Sequence, residues 1–186
     1  RGEILVMVGH WRTLRQWQRS AALAGQFLAD NPTDSQRPKI SLEIARDRLS
    51  HASKPIERKA GKQAMMTEVA KRFDAARAEL AKVVAEFPKE RSYQQQAQWD
   101  VANSYLTQAR VVAAFSPTLA RGQYVRTAKE LTQVARQYPD HPNLGNIPQM
   151  LWNISTELEG RGFSDEAILV WHELTIYDPM HGLSQQ

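Results

Sequence analysis

Cysteine is absent from the 186 residues, which excludes a disulfide framework, a thiolate zinc site and a cysteine nucleophile. Its absence leaves the compartment open, since chains of either redox environment can lack it. No window approaches the run of about 18 apolar residues that suggests a membrane-spanning helix. A glycine-rich phosphate loop is missing: the closest glycine pair, Gly160-Arg161-Gly162, suits a hairpin turn instead. There is no Gly-x-Ser-x-Gly elbow and no His-Glu-x-x-His helix, so two common routes to hydrolysis are closed. Strand-like alternation is nearly absent.

What remains is ordinary in bulk. Hydrophobic residues make up 42% and charged residues 24%, enough to bury a core without disulfide or metal staples. The length suits one domain or one run of repeats. The chain opens on Arg1-Gly2 and runs straight into Ile4-Leu5-Val6-Met7-Val8. That start predicts a fragment of a longer protein, whose signal peptide or lipid anchor would lie outside it.

Net charge is +4, but it is unevenly spread. Residues 37–91 hold 14 Lys/Arg against 8 Asp/Glu, whereas residues 140–186 hold Arg161 against seven acids. The basic middle could attract an acidic partner or nucleic acid; the plainer reading is two solvated helix faces. Lys54, Arg58, Lys59, Lys62, Lys71 and Arg72 have no aromatic among them to stack on a base, which disfavours nucleic acid.

Helical periodicity is strong. Phe73, Ala76, Leu80 and Val83 fall on one stripe at the spacing of an amphipathic helix. Four helices are predicted to stop at Asn31-Pro32, Phe87-Pro88, Tyr138-Pro139 and Asp178-Pro179, because proline lacks the N–H a helix needs. Upstream of each lies one template: Ser20, Ala24, Phe27; then Ala76, Leu80, Val83; then Thr127, Leu131, Val134; then Ala167, Trp171, Leu174. A small residue lets two helices approach and the large ones fill the seam, so four copies amount to a repeat. Further breaks are predicted at Ala52-Ser53-Lys54-Pro55 and Ser116-Pro117.

The stretch from Pro148 to Pro179 resembles a tetratricopeptide repeat. Leu151, Ile154, Ser155 and Leu158 stand where the family's first helix has its signature, Gly162 falls at the turn, and Asp165-Glu166-Ala167-Ile168-Leu169-Val170-Trp171 resembles the opening of its second helix. Ile4, Met7, Val8, Trp11, Trp17, Ser20, Ala24, Phe27 and Pro32 fit the same frame more loosely. The prolines are 56, 51 and 40 residues apart, longer than the family period of about 34. The excess has helical composition and predicts lengthened helices. Glu86-Phe87-Pro88-Lys89, followed by Gln96-Ala97-Gln98-Trp99-Asp100-Val101-Ala102-Asn103-Ser104-Tyr105, is similar to repeats of bacterial envelope proteins. These include outer-membrane assembly lipoproteins and periplasmic partners of the Tol–Pal system; Arg136 to Pro142 has the same character.

Candidate chemistry is sparse. His10, His51, His141, His172 and His181 are scattered, without the paired spacing a metal site needs. Glu157 and Glu159 stand two apart, which on a helix points them to different faces. Trp171 falls on the core template, and Trp11 and Trp17 are expected between the first two helices. The resemblance implies a concave groove built from first helices. On that frame Trp152, Asn153, Thr156 and Glu159 line it, offering an aromatic platform, an amide and a carboxylate, and Trp99, Asp100 and Asn103 extend it one repeat earlier. For Trp99, packing between repeats is an equal alternative.

The expected fold is an all-α solenoid of about four antiparallel tetratricopeptide-like hairpins in a single domain, residues 1–186. Its repeats are 1–34, 35–92, 93–142 and 143–181, the middle two elongated, with Met180-His181-Gly182-Leu183 opening a linker or another hairpin. The expected function is a non-catalytic scaffold or adaptor, without cofactor, metal or small-molecule substrate. It would hold a protein, peptide or helix in its groove, within a bacterial envelope assembly such as secretion, motility or outer-membrane biogenesis. The implied location is periplasmic or outer-membrane associated, with membrane contact only through an anchor or partner; a cytoplasmic location is the alternative. A docking region of a larger multidomain enzyme is the second reading.

Overall fold

A computed structural model describes residues 2–55 and 61–177, with backbone alone at 2, 4 and 5. Several expectations therefore lie outside the described residues: the stop at Asp178-Pro179, the segment Met180 to Leu183 with His181, the side chain of Ile4, and Arg58 and Lys59. The described residues form eight α-helices and no strand: α1 Gly2–Thr13, α2 Trp17–Asp30, α3 Arg37–Ala52, α4 Lys62–Glu86, α5 Arg91–Ala113, α6 Pro117–Gln137, α7 Ile147–Gly160 and α8 Ser164–Tyr177. A short 3-10 turn, Leu144–Asn146, precedes α7. No described helix is long and apolar enough to cross a membrane. The chain divides into two compact units, residues 1–100 and 101–186.

Three helix stops share one geometry. Asn31, Phe87 and Tyr138 leave the helix at φ −129°, −121° and −132° with ψ 67°, 59° and 70°, outside the helical region that a following proline disfavours for its predecessor. Each still donates its N–H four residues back, to Phe27, Val83 and Val134. The proline then takes the second place of a β-turn, closed by Asp34 N–H to Asn31 O, Glu90 N–H to Phe87 O and His141 N–H to Tyr138 O at 3.2, 3.0 and 3.0 Å; this is the turn position that proline's fixed φ favours. The breaks after Ala52 and at Ser116-Pro117 also fall between helices, and Pro38, Pro117 and Pro148 stand in first turns, where a missing N–H costs nothing.

In the first unit α1 packs on α2, α2 on α3, and α3 on α4. Val8, Ala24, Phe27, Ile40 and Ile44 form one buried cluster. Phe73, Ala76, Leu80 and Val83 of α4 are at most 1% exposed, each large side chain contributing about 1.5–3 kcal/mol of burial. A polar knot joins α1 to α3: Arg12 Nε donates to Asp47 Oδ1 at 2.7 Å and also pairs with Glu43, while Ser20 Oγ donates to Asp47 Oδ2 at 2.6 Å. Asp47 is 3% exposed, so burial pushes its carboxyl above the ordinary value, against the pull of Ser20 and Arg12.

In the second unit α6 packs on both α7 and α8, and α7 on α8. Thr127, Leu131, Val134, Leu151, Ile154, Ser155 and Leu158 are all buried. Tyr124, fully buried, donates its hydroxyl to Glu157 at 2.5 Å. Burial, and then this bond, raise the tyrosine's pKa. Glu159 faces elsewhere and accepts the indole N–H of Trp171 at 3.2 Å.

Four side chains depart from the expected core, among them Leu174, which is half-buried. Met7 is 47% exposed, although it fits the repeat frame. Trp171 is half-buried, because Val170 and Tyr177 take the inner face of α8. Trp17 lines an open cleft with α3 and α4, so it does not simply fill the α1–α2 interface.

Candidate functional site

A concave surface of the first unit was not among the expected sites. α2 and α4 both pack on α3 and leave between them a cleft of about 400 Å³, which Trp17, Ala21, Asp47, His51, Lys71 and Arg72 help to line. A second cavity of about 390 Å³ reaches along the same helices past Gly25, Leu28, Ile44, Glu79, Lys82 and Glu86. Ala21 and Arg48 line both, so the two form one seam. Its floor is α3. Its α2 wall carries Ala21, Ala22, Gly25 and Ala29 between the larger Trp17, Gln18 and Leu28, and a Cβ added at Gly25 would meet nothing within 4 Å.

Charge is concentrated on the α4 wall. Arg72 donates to Glu68 at 2.7 Å, Glu79 accepts Lys82 at 3.1 Å, and Arg48 of α3 stands 3.4 Å from Glu79. These pairs give a rim of alternating sign over a floor that includes Ile44. At one end Gln18 Nε2 lies 3.4 Å from His51 Nε2. Burial, and then the neighbouring charges of Arg72 and Lys54, hold the His51 imidazole below its ordinary pKa. Glu68, half-buried at the cleft, is lowered chiefly by its bond from Arg72.

In the second unit, Trp152, Asn153, Thr156 and Glu159 are all exposed on α7. Trp152 is 53% exposed and stands edge-on to Trp171, with ring centroids 4.8 Å apart and planes at 89°. The Glu159 bond to the Trp171 indole fixes the second ring, so the two rings share one held pose. Asn153 Oδ1 accepts Gln149 Nε2 at 2.9 Å. Trp99 and Asp100, in the first unit, are half-buried, as is Asn103 in the second. Asp100 is engaged by Arg46 at 2.6 Å, which ties α5 to α3.

Of the histidines, His10 and His172 are exposed, and His141 accepts the Asn143 N–H at 3.1 Å within its turn. No three His, Asp or Glu side chains converge among the described residues. The seam was missed because its aromatic, Trp17, comes from α2 while its cations come from α3 and α4. The available signal was Ala21-Ala22-x-x-Gly25-x-x-x-Ala29, a run of small residues on one helix. No protein-family model, curated protein or solved structure matches the chain.

Proposed function

We propose that the chain is a non-catalytic scaffold of tetratricopeptide-like helical hairpins that holds a helical segment of a partner protein. The observation carrying this reading is the seam between α2 and α4. The seam is an open groove that no other helix of its unit fills among the described residues. α6 and α8 pack directly on one another, so the fold can close such a gap. Small side chains along the α2 wall, Ile44 in a largely polar floor and a charged rim suit an amphipathic helix laid in a groove. The Trp152–Trp171 platform is a second contact face, since aromatic side chains exposed in a fixed pose make strong anchors. The resemblance of residues 86–105 to envelope repeats supports a place in a bacterial envelope assembly.

Capture experiments test the proposal with residues 1–186 as bait in extracts of cells that make the protein. Three baits are compared: the native chain, Ala21→Trp to block the seam, and Trp152→Ala with Asn153→Ala. The proposal requires a stoichiometric protein partner that Ala21→Trp loses while keeping its helical circular dichroism. Capture of nucleic acid, or full capture by the blocked bait, overturns it.

A further inference from the structure

α1, continued by Leu14 in the turn that follows it, and α8 carry the same exposed stripe. Glu3, Val6, Met7, His10 and Leu14 occupy positions i, i+3, i+4, i+7 and i+11, and so do Asp165, Ile168, Leu169, His172 and Ile176. Each place holds the same type of residue: acid, branched aliphatic, long aliphatic, histidine, aliphatic. All ten are exposed, Val6 by 72% and Ile168 by 63%. This spacing is the one a helix normally buries. α8 already buries Ala167, Val170 and Tyr177 on its other side, so its second apolar face is surplus to its own unit.

The charges around the two stripes are opposite. Arg15 and Arg19 are exposed where α1 gives way to α2, and Glu159 and Asp165 are exposed where α7 gives way to α8. Arg15 sits at φ 55°, a left-handed conformation costing about 1–2 kcal/mol in any residue with a Cβ. The equivalent turn after α7 uses Gly162 at φ 80°. An arginine stands where glycine would be less strained.

We infer that α1 of one copy packs antiparallel on α8 of a second copy. In that orientation Asp165 and Glu159 meet Arg15 and Arg19, and Glu3 lies beside Ile176. A parallel arrangement would set Glu3 against Asp165. Pairing α8 with α8 would bring two copies of the acidic stretch 140–177 together, where Arg161 is the one Lys or Arg. The contact is heterologous, so each copy keeps one face of each kind and assembly continues into a chain or ring.

Sedimentation equilibrium of the 186-residue protein, up to about 0.5 mM, tests this inference with Val6→Asp and Ile168→Asp. The native protein should grow in mass beyond the dimer as concentration rises, and each variant alone should stay monomeric with unchanged circular dichroism. An equimolar mixture of the two should form a 1:1 dimer and no larger species, since each supplies the face the other has lost. Reversing both charges, Arg15→Asp with Asp165→Arg, should restore association that either change alone weakens about tenfold or more. A monomeric native protein throughout, or a dimer of Val6→Asp by itself, overturns the inference.

Discussion

Single residues in this fold are tested most sharply where backbone or burial is unusual. α1 and α7 end alike: Gln16 N–H reaches back to Trp11 O and Arg15 N–H to Arg12 O, while Phe163 reaches Leu158 O and Gly162 reaches Glu159 O. This is the Schellman pattern, in which the residue at positive φ favours glycine. Gly162→Ala should therefore cost about 1 kcal/mol, with no steric component because its Cβ would meet open space. Arg15→Gly should gain a similar amount; urea unfolding reads both, and a loss for Arg15→Gly would contradict the strain argument. Asp47 makes a pH prediction. Its folded pKa lies above its ordinary value, so its contribution to stability is fully present below the unfolded pKa and lost as pH rises through the folded one. The melting temperature of the native protein minus that of Asp47→Asn should rise on acidification from pH 7 to about pH 4. A flat or falling difference would show that Arg12 and Ser20, not burial, govern the carboxyl.

Among the elements, the helix stops and the core stripes were legible in the sequence, because both depend on local chemistry. Proline fixes its own φ and keeps its predecessor out of the helical region, and Asn31, Phe87 and Tyr138 obey it with nearly the same angles. Ala76, Leu80 and Val83 are buried for the reason their spacing gives. Contacts between helices were less legible. Nothing in the spacing of Glu157 marks it as the acceptor for Tyr124, thirty-three residues away, and Asp100 reads as an open lining residue until Arg46 is seen beside it. In the candidate site the exposure of Trp152 could be read from its place one residue after Leu151, but the seam could not, since three helices contribute to it. The Tyr124 bond joins α6 to α7, and Tyr124→Phe should cost about 1.5–3 kcal/mol by removing a hydrogen bond to a charged acceptor. A loss under about 0.5 kcal/mol in urea unfolding would mean that Arg161, 3.0 Å from Glu157, compensates for the missing hydroxyl.

For the whole molecule, the account turns on whether the α2–α4 seam is a packing fault or a seat. A seat predicts opposed effects at one position. Gly25→Leu adds helix propensity and fills open space, so the free protein should melt higher, consistent with about 0.5–1 kcal/mol for the glycine alone, while partner capture falls. A fault predicts the higher melting temperature with capture unchanged. Photocrosslinking in cells that make the protein gives the most direct answer, with a benzophenone amino acid placed at Ala22 or Ala75 on the seam and at Gln133 in the second unit as control. The account predicts a discrete crosslinked protein from both seam positions, attached through residues of one amphipathic helical segment, and none from Gln133. Bands of equal strength from all three positions, or none from Ala22 and Ala75, would contradict it.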